Sequence, residues 1–412
     1  LFRSGQGGLT YSAPAWSPDG QHLAFSEYDA TQMPGPLAIR LVDVSTGSTT
    51  TLSNERWGTA YRIEWMRDGS GIVLIGTRRG ETLSIFRDQV YLISYPDGRS
   101  YRITSDGYRH DTSSLGTTKD GAVIAVPSTR SCQIWSVSPN GDPATAVQLT
   151  RGTGDGRPGL VTLAGGLIAY IARTGEELTL WVAREDGSNP KQLATSFKRL
   201  EELRADPKGK YLIFSADDND GLPRLFRIGV DGNGLKPLTT DPKTSEIYAT
   251  LSPDGTMVFA NSVGNAGTPS DRRLLKVPIA GGSPEILQVD CDNPVLSPDG
   301  SMLACTNHAR GQFVIRRASD GGEIERHNLP SSAAANLGAA WTPDGSGLIA
   351  IKNEKAGLSN LMVIPRNGSR PFALTSFKSG TIYRYAFSND ASKLFLARGY
   401  PSQDAVLISN FR

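Results

Sequence analysis

The sequence predicts an all-β fold of the propeller type, and three observations support this. A turn motif, Ser-Pro-Asp-Gly, begins at Ser17, Ser252 and Ser297, and Thr342 begins a closely related copy. The glycine of this turn recurs with a period of about 45 residues. Four strand-like apolar runs fall within each period, which is typical of a propeller blade.

Each residue of the motif has a physical role in a type I turn. Serine at the first position, proline with its preset φ at the second, a small acid at the third and glycine at the fourth all favour that turn. Alternating apolar runs on both sides make the turn the tip of a β-hairpin. A second glycine turn, as at Asp231-Gly232, leads into the fourth strand, which closes on a pair such as Leu238-Thr239 or Leu374-Thr375.

The turn positions give the number of repeats. They are Gly20, Gly69, Gly121, Gly166, Gly209, Gly255, Gly300 and Gly345, with Ala391 in the ninth place. An orphan closing pair at Leu9-Thr10 and an incomplete unit from Tyr383 to Phe411 would complete each other. We therefore predict one domain, residues 1–412, with nine four-stranded blades, in which an N-terminal strand of about residues 1–10 closes the blade formed by about 381–412. Eight blades is the alternative, because the repeats between Ser113 and Lys198 are the weakest.

Six large apolar residues occupy the same place, three residues before the turn acid, and we expect them to pack between blades. They are Trp16, Trp65, Trp341, Phe387, Leu251 and Leu296.

Composition excludes several classes of protein. The 43 basic and 41 acidic residues give a net charge of +2 without long runs of one sign, so an electrostatic grip on nucleic acid is not indicated. No apolar stretch approaches the roughly 18 residues that a membrane span needs. Residues 1–10 do not read as a signal segment, so we expect any targeting information to lie upstream.

For Cys291 and Cys305 we expect two half-buried thiols on neighbouring strands, with a cross-strand bridge as the alternative, and Cys132 has no evident partner.

Known catalytic motifs are missing from the sequence. It contains no Gly-x-Ser-x-Gly elbow, no Walker loop and no kinase lysine and catalytic-loop set. The four histidines fall in four different repeats, which argues against a zinc site. The acidic run Asp217–Gly221 lacks the ligand spacing of a calcium loop and is interpreted as a solvated turn. We therefore predict a protein that is not an enzyme and holds no cofactor or metal.

The recurring hairpin, the Leu-Ala-Phe-Ser type strand after it, the Asp-Gly turn and the Leu-Thr close together resemble the TolB-type, WD-repeat-like propeller family over essentially the whole chain. Such propellers serve as periplasmic translocation proteins, as sensor domains of bacterial membrane kinases and as gatekeeping domains of peptidases. TolB proteins carry an additional α/β domain that this sequence does not contain. The repeat number and Asp404–Phe411 are most similar to propellers attached to bacterial membrane serine/threonine kinases, which implies an extracytoplasmic location.

Candidate binding residues come from the loops that enter each first strand, because variable loops on a rigid scaffold usually carry binding. These loops mix charged and aromatic residues, which suits a polar small molecule or a peptide segment. The alternative is that the residues only solvate a water-filled channel and pair with one another. We expect the following residues at the channel mouth: Trp57, Tyr61, Arg62, His110, Asp111, Arg157, Arg199, Glu201, Glu246, Tyr248, Asp292, Asn336, Tyr383 and Arg384.

Three functions remain open from the sequence. The first is a monomeric, non-catalytic sensor that binds an unidentified ligand or protein and belongs to a membrane kinase. The second is a free-standing periplasmic scaffold for protein partners. The third, which we rank last, is an enzyme that uses channel acids such as Asp111 with Glu201 or Asp292 as a carboxylate pair.

Overall fold

The structure is a computed structural model of the 412-residue chain. It describes residues 9–29, 37–78, 88–104, 109–174, 177–197, 199–217, 222–241, 244–264, 272–287, 289–307, 310–330, 339–355 and 357–411. In these residues the regular secondary structure is β-strand apart from a short 3-10 helix at Pro143–Thr145. None of the helical structure described is long or apolar enough to cross a membrane. The chain divides into two compact units, residues 1–129 with 402–412 (the N-terminal unit) and residues 130–401 (the ring unit).

The N-terminal unit contains three antiparallel sheets. Its strands are β1 (Leu9–Trp16), β2 (His22–Asp29), β3 (Ala38–Asp43), β4 (Thr49–Thr51), β5 (Trp57–Trp65), β6 (Gly71–Arg78), β7 (Gln89–Ser94), β8 (Ser100–Arg102), β9 (Arg109–Thr117) and β10 (Val123–Arg130), with β35 (Pro401–Gln403) and β36 (Val406–Ile408) from the other end of the chain. Strands β1 to β4 form the first sheet and β5 to β8 the second, each in sequence order. In the third sheet β10 pairs with β9, β35 and β36.

The ring unit contains six four-stranded sheets. Its strands are β11 (Gln133–Val137), β12 (Val147–Gln148), β13 (Leu160–Leu163), β14 (Leu167–Thr174), β15 (Glu177–Arg184), β16 (Lys191–Phe197), β17 (Leu200–Ala205), β18 (Tyr211–Asp217), β19 (Pro223–Gly229), β20 (Lys236–Pro237), β21 (Thr244–Leu251), β22 (Met257–Gly264), β23 (Arg272–Pro278), β24 (Glu285–Leu287), β25 (Asp292–Leu296), β26 (Met302–Asn307), β27 (Gln312–Arg317), β28 (Glu323–Asn328), β29 (Ala340–Trp341), β30 (Gly347–Lys355), β31 (Leu358–Pro365), β32 (Phe372–Ala373), β33 (Thr381–Phe387) and β34 (Leu394–Gly399). Five sheets run in sequence order from β13 to β32, and the sixth has the order β33-β34-β11-β12.

An apolar cluster fills each of the six interfaces between successive sheets of the ring unit. The clusters are represented, in order around the ring, by the pairs Ile134 and Ile168, Leu178 and Leu203, Ile213 and Val258, Phe259 and Leu303, Ile315 and Leu348, and Ile351 and Leu394. Because the last sheet packs on both the fifth and the first, the ring unit is a closed six-bladed propeller. Its channel is enclosed by the innermost strands β13, β17, β21, β25, β29 and β33.

The predicted hairpin turns are confirmed. The turn glycines from Gly20 to Gly345 have φ of 69–83°, and Ala391 has φ of 55°, as its place in the series requires. In a representative turn, the Ser297 hydroxyl donates to Asp299 at 2.5 Å and accepts from the backbone N–H of Met302 at 3.0 Å. The Asp299 carboxylate also accepts from the backbone N–H of Ser301 at 3.0 Å.

The closing Leu-Thr pairs also have a defined structural role. The Thr375 hydroxyl accepts from the N–H of Leu361 at 2.8 Å and donates to the side chain of Asn360 at 2.9 Å. Thr239 repeats the arrangement, because its hydroxyl accepts from Leu225 and donates to Glu246. The threonine therefore anchors the short outer strand to the strand beside it through buried hydrogen bonds.

The predicted closure by the N-terminal strand is wrong. Leu9-Thr10 is part of β1, a single strand that reaches Trp16 through a bulge and pairs with β2. The last hairpin, β33-β34, pairs instead with β11, where Gln133–Val137 lie opposite Leu394–Arg398. The third repeat is therefore split, since β10 pairs with β9 and with the C-terminal strands β35 and β36, while β11 and β12 close the ring.

The number of blades is not confirmed as predicted. The described residues do form nine sheets, as the nine turns require, but six of them close on themselves. The last hairpin, β33-β34, takes β11 and β12 as its outer strands, and the resulting sheet packs on both the fifth and the first sheets, so the ring closes with six blades.

The expected packing of large residues between blades is confirmed with one exception. The indole N–H of Trp65 donates to the carbonyl of Ala15 at 3.0 Å, and that of Trp341 donates to Val295 at 2.9 Å, so each tryptophan bonds the preceding sheet. Trp16 is 59% exposed. Trp16 belongs to the first sheet of the N-terminal unit. Among the described residues of that unit, no sheet precedes this one along the chain.

Cys291 and Cys305 form a disulfide, with their Cα atoms 4.8 Å apart. The expectation of two free thiols is therefore wrong and the alternative is correct. Cys132 is a buried free cysteine, and burial raises the pKa of its thiol.

Candidate functional site

Three neighbouring innermost strands of the ring unit share a β-bulge at the same place. The register shifts after Glu201 in β17, after Ile247 in β21 and after Asp292 in β25. The residue that follows each shift has a left-handed backbone, with φ of 59° at Glu202, 56° at Tyr248 and 52° at Asn293. Such a conformation costs a residue with a side chain about 1–3 kcal/mol, and bulges re-aim the side chains beside them.

The bulge in β17 lies where an arginine and a glutamate come together. Arg204 Nη2 lies 3.6 Å from Glu202 Oε2, and Arg204 Nη1 donates to the carbonyl of Leu203 at 2.9 Å. The Arg204 side chain remains one third exposed. Arg204 is therefore held on the innermost strand by a backbone hydrogen bond, and its side chain is not fully buried.

A second arginine lies on the innermost strand of another blade. Arg384, on β33, donates from Nη1 to the carbonyl of Tyr383 at 2.9 Å, the same local geometry as Arg204 with Leu203. Burial lowers the pKa of Arg204, the charge of Arg384 lowers it further, and Glu202 opposes both effects. The charge of Arg384 therefore disfavours the charged form of Arg204 from a different blade of the ring unit.

Tyrosines on β33 hold this cluster in place. The Tyr385 hydroxyl donates to the carbonyl of Ile349 at 2.6 Å and accepts from the N–H of Ala340 at 3.0 Å, which ties β33 to the neighbouring blade. Burial raises the pKa of Tyr385, which keeps the hydroxyl protonated as a donor. On the other side, the Arg157 guanidinium lies over the Tyr383 ring, 5.7 Å from its centroid.

Several of the predicted residues of the ring unit lie on or beside its innermost strands. Arg199 pairs with Glu201 at 3.6 Å immediately before and within β17. Tyr248 and Asp292 lie at the bulges of β21 and β25 and are partly exposed. Asn336 lies outside the described residues.

Glu246 is not a binding residue of the channel, contrary to the prediction. It is 1% exposed, and its carboxylate accepts from the hydroxyls of Thr239 at 2.8 Å and Thr244 at 2.6 Å. Arg224, which is 3% exposed, lies 3.4 Å from the same carboxylate. The pair is a buried structural network inside the blade, because both charges are taken out of water.

The remaining predicted residues belong to the N-terminal unit. Trp57 and His110 are fully buried, and the Trp57 ring packs edge-on against Tyr91 at 5.0 Å between centroids. Arg62 pairs with Glu64 at 2.6 Å.

Two further residues of that unit were predicted for the channel mouth. Tyr61 is 46% exposed, and the carboxylate of Asp111 accepts from Ser113 in a local turn. Because the fourteen predicted residues are divided between two units, we restrict the candidate site to the ring unit.

Sequence reasoning missed Glu202, Arg204 and Tyr385. If side chains alternated strictly along β17, the distance of Leu203 and Arg204 from the turn would assign each of them to one face of the sheet. The bulge inserts one residue and so changes the face that each side chain occupies. The only available signal was the unusual density of charge in Arg199–Arg204 within a strand otherwise read as core.

No group of three or more potential metal ligands occurs among the described residues. In the acidic run Asp217–Gly221, which was considered as a calcium loop, residues 218–221 lie outside the described residues.

No family model and no curated protein matches the chain. Similar solved structures include an oligogalacturonate lyase from Vibrio parahaemolyticus, with 11% identity, a TM-score of 0.40, and coverage of 87% of this chain and 90% of that one. TolB from Acinetobacter baumannii has 18% identity, a TM-score of 0.35, and coverage of 79% and 64%. The Dos1 propeller has 10% identity, a TM-score of 0.34, and coverage of 95% and 92%. The propeller assignment itself rests on the sheets and their packing.

Proposed function

We propose that this chain is a non-catalytic binding module whose ligand site is the channel of the ring unit. The observation that carries the proposal is that the innermost strands carry the partly exposed charged side chains of Arg204, Glu202 and Arg384, with each arginine held by a backbone hydrogen bond. Charged groups held by backbone hydrogen bonds and strained bulges are preorganised, and preorganisation reduces the ordering cost of binding.

Catalysis has less support than binding. Two of the three carboxylates considered for an acid and base pair already have partners, since Glu201 pairs with Arg199 and Asp111 accepts from Ser113 in the N-terminal unit.

An extracytoplasmic location is part of the proposal. The Cys291–Cys305 disulfide persists in oxidising compartments and is rare in the cytosol. We further propose that the module senses a ligand for a membrane kinase, as the family resemblance implies. If the reading frame that encodes Leu1 encodes neither a membrane span nor a kinase upstream, this sensor role is wrong.

The binding role is tested by a thermal-shift screen of the chain against metabolites, sugars, peptides and nucleotides. A ligand that binds the folded state raises the melting temperature by mass action, about 2.7 kcal/mol of stabilisation at 100 times Kd. The chain offers a matched pair of variants, because Arg199 and Arg62 each pair with a glutamate two residues later. We expect Arg199→Ala to remove the shift and Arg62→Ala to leave it unchanged. If Arg62→Ala removed the shift and Arg199→Ala left it unchanged, the site would lie in the N-terminal unit and the ring-channel proposal would be refuted. If no compound in the screen raised the melting temperature and pull-downs recovered no partner, the binding role would be refuted.

A further inference from the structure

A cavity of about 580 Å³ opens between the fifth and sixth sheets of the ring unit. It lies beside the hairpin turns of these sheets, at Pro343 and Ala391, and Phe372 of the outer strand β32 forms part of its wall. The rings of Phe387 and Pro139 also line it. Its volume falls within the range of about 300–1,000 Å³ that is usual for pockets that bind small molecules.

At the preceding interface, between the fourth and fifth sheets, side chains occupy the corresponding place. The guanidinium of Arg366 lies over the Trp341 ring, 5.6 Å from its centroid. Nε of the same guanidinium donates to the carboxylate of Glu325 on β28. A flat group that is held by an acid therefore covers the aromatic wall of that interface.

The register of the strands identifies the residues that take these three positions at the cavity. Glu325 lies opposite Ile315 on β27, and Phe372 lies opposite Val363 at the same place on β31. Trp341 and Phe387 each lie three residues before the turn acid. The correspondence is Phe372 for Glu325, Phe387 for Trp341 and Pro139 for Arg366.

The position of Pro139 follows from the pairing of the middle strands. Arg366 and Pro139 each lie two residues beyond the residue that pairs with the first leucine after the turn, Leu348 in the fifth sheet and Leu394 in the sixth. The proline ring is much shorter than an arginine side chain and cannot reach across the interface.

These exchanges leave an apolar space where the preceding interface holds an ion pair. Phe372 accepts no hydrogen bond of the kind that Glu325 accepts, and Pro139 carries no charge to pair. Phe372 and Phe387 both line the space that remains. A flat ring that enters it takes the position of the guanidinium against an aromatic wall, an arrangement that aromatic pairs favour.

The charges at the cavity favour a neutral ligand. Among the described residues that line it, two are charged, Asp344 and Arg370, and their charges cancel. The Asp344 carboxylate already accepts from the Thr342 hydroxyl at 2.6 Å and from the N–H of Ser346 at 3.0 Å. An ion of either sign would be repelled by one of the two charges and would lose hydration on entry, which is costly for a charged group.

We infer that this cavity binds a small, neutral, planar aromatic molecule against Phe372 and Phe387. The residues that line it include none of those proposed for the channel, so the site is additional to the proposed function and does not depend on it.

An NMR titration of the full chain with four probes of similar size tests the inference. The neutral aromatic probe is 2-naphthol, and decahydro-2-naphthol is its aliphatic counterpart. The charged counterparts are 2-naphthoate and 2-naphthylmethylammonium. We expect saturable binding of 2-naphthol, and binding weaker by about tenfold for each of the other three, because they lack either the flat ring or the neutral charge.

The first pair of variants tests the aromatic wall. Phe372 is 54% exposed, so Phe372→Ala should leave the protein folded and weaken 2-naphthol binding by about tenfold. The matched control is Ile324→Ala on β28, which removes a 46% exposed apolar side chain from the outer strand of the fourth sheet. We expect this control to leave binding unchanged.

A double variant rebuilds the contact of the preceding interface inside the cavity. Phe372→Glu with Pro139→Arg supplies the acid and the cation at the positions of Glu325 and Arg366. We expect this protein to lose 2-naphthol binding and to keep a melting temperature at or above that of the parent. A merely unfolded variant cannot produce both results.

The outcomes separate this site from the channel. Absence of saturable 2-naphthol binding, equal binding of its aliphatic or charged counterparts, binding unaffected by Phe372→Ala, or binding retained in the double variant overturns the inference. Arg199→Ala should leave 2-naphthol binding unchanged, and a loss there would move the aromatic ligand to the channel and also overturn the inference. Failure of the cavity leaves the channel proposal intact, because the two are read out by different variants.

Discussion

The Arg224–Glu246 pair should be a major stabilising element of the ring unit and not part of its binding site. In Glu246→Ala the guanidinium of Arg224 stays buried, at 3% exposed, without its carboxylate, and the hydroxyls of Thr239 and Thr244 lose an acceptor. Removing one partner of a buried ion pair costs about 3–5 kcal/mol, because an uncompensated charge remains.

The expected change in melting temperature follows from the size of the unit. Unfolding entropy of about 2.1 cal/mol/K per residue means that about 2 °C corresponds to 1 kcal/mol in a domain of this size. Glu246→Ala should therefore lower the melting temperature of the ring unit by about 6–10 °C, measured by scanning calorimetry. The disulfide and the ligand conditions are kept constant across variants.

Two comparisons show whether burial of the charge is the cause. Glu285, in the same sheet, pairs with Lys276 at 3.2 Å but its side chain is 57% exposed, so Glu285→Ala should change stability by less than about 1 kcal/mol. The double variant Arg224→Met with Glu246→Leu should be more stable than Glu246→Ala, since it leaves no buried charge. A Glu246→Ala protein with an unchanged melting temperature and lost ligand binding would refute our assignment and restore Glu246 to the binding site.

Three further predictions concern the repeated motifs. The hydrogen bond from the Ser297 hydroxyl, and after it those from backbone N–H groups, lower the pKa of Asp299 to about 2. The contribution of the Asp299 carboxylate to stability is therefore complete above its unfolded pKa near 4 and is lost as the pH falls towards 2. Asp299→Asn should flatten the fall of melting temperature over that window. Trp341→Phe removes the indole donor to Val295 and should cost about 0.5–1.5 kcal/mol in denaturant unfolding, and an unchanged midpoint would show that this bond adds nothing. Ala391→Gly places glycine at a φ of 55° and should stabilise the turn by about 0.5–1 kcal/mol, whereas destabilisation would contradict a strained backbone at that position.

The spacing of turns could be predicted from the sequence because local chemistry determines it. Ser297-Pro298-Asp299-Gly300 specifies its own conformation through hydrogen bonds within six residues, and Ala391 shows that the period holds even where glycine is absent. The same is true of the closing threonines, whose partners lie on the adjacent strand.

The pairing of edges could not be predicted in the same way. Strands β10 and β34 both present backbone N–H and C=O groups to a third strand, and nothing in the local pattern of β11 indicates which of them it joins. The binding cluster was missed for a related reason. A left-handed glutamate at Glu202 has no sequence signature, yet that single bulge decides where Arg204 points.

The split third repeat has a consequence for synthesis of the protein. Strand β11 meets β34 across about 260 residues of chain, and β10 meets β36 across a still longer interval. At a translation rate of about 5–20 residues per second, roughly 13–50 s pass between emergence of the two edges from the ribosome. Both units therefore remain incomplete until residues 381–408 are made, and a nascent chain exposes unpaired strand edges throughout that time.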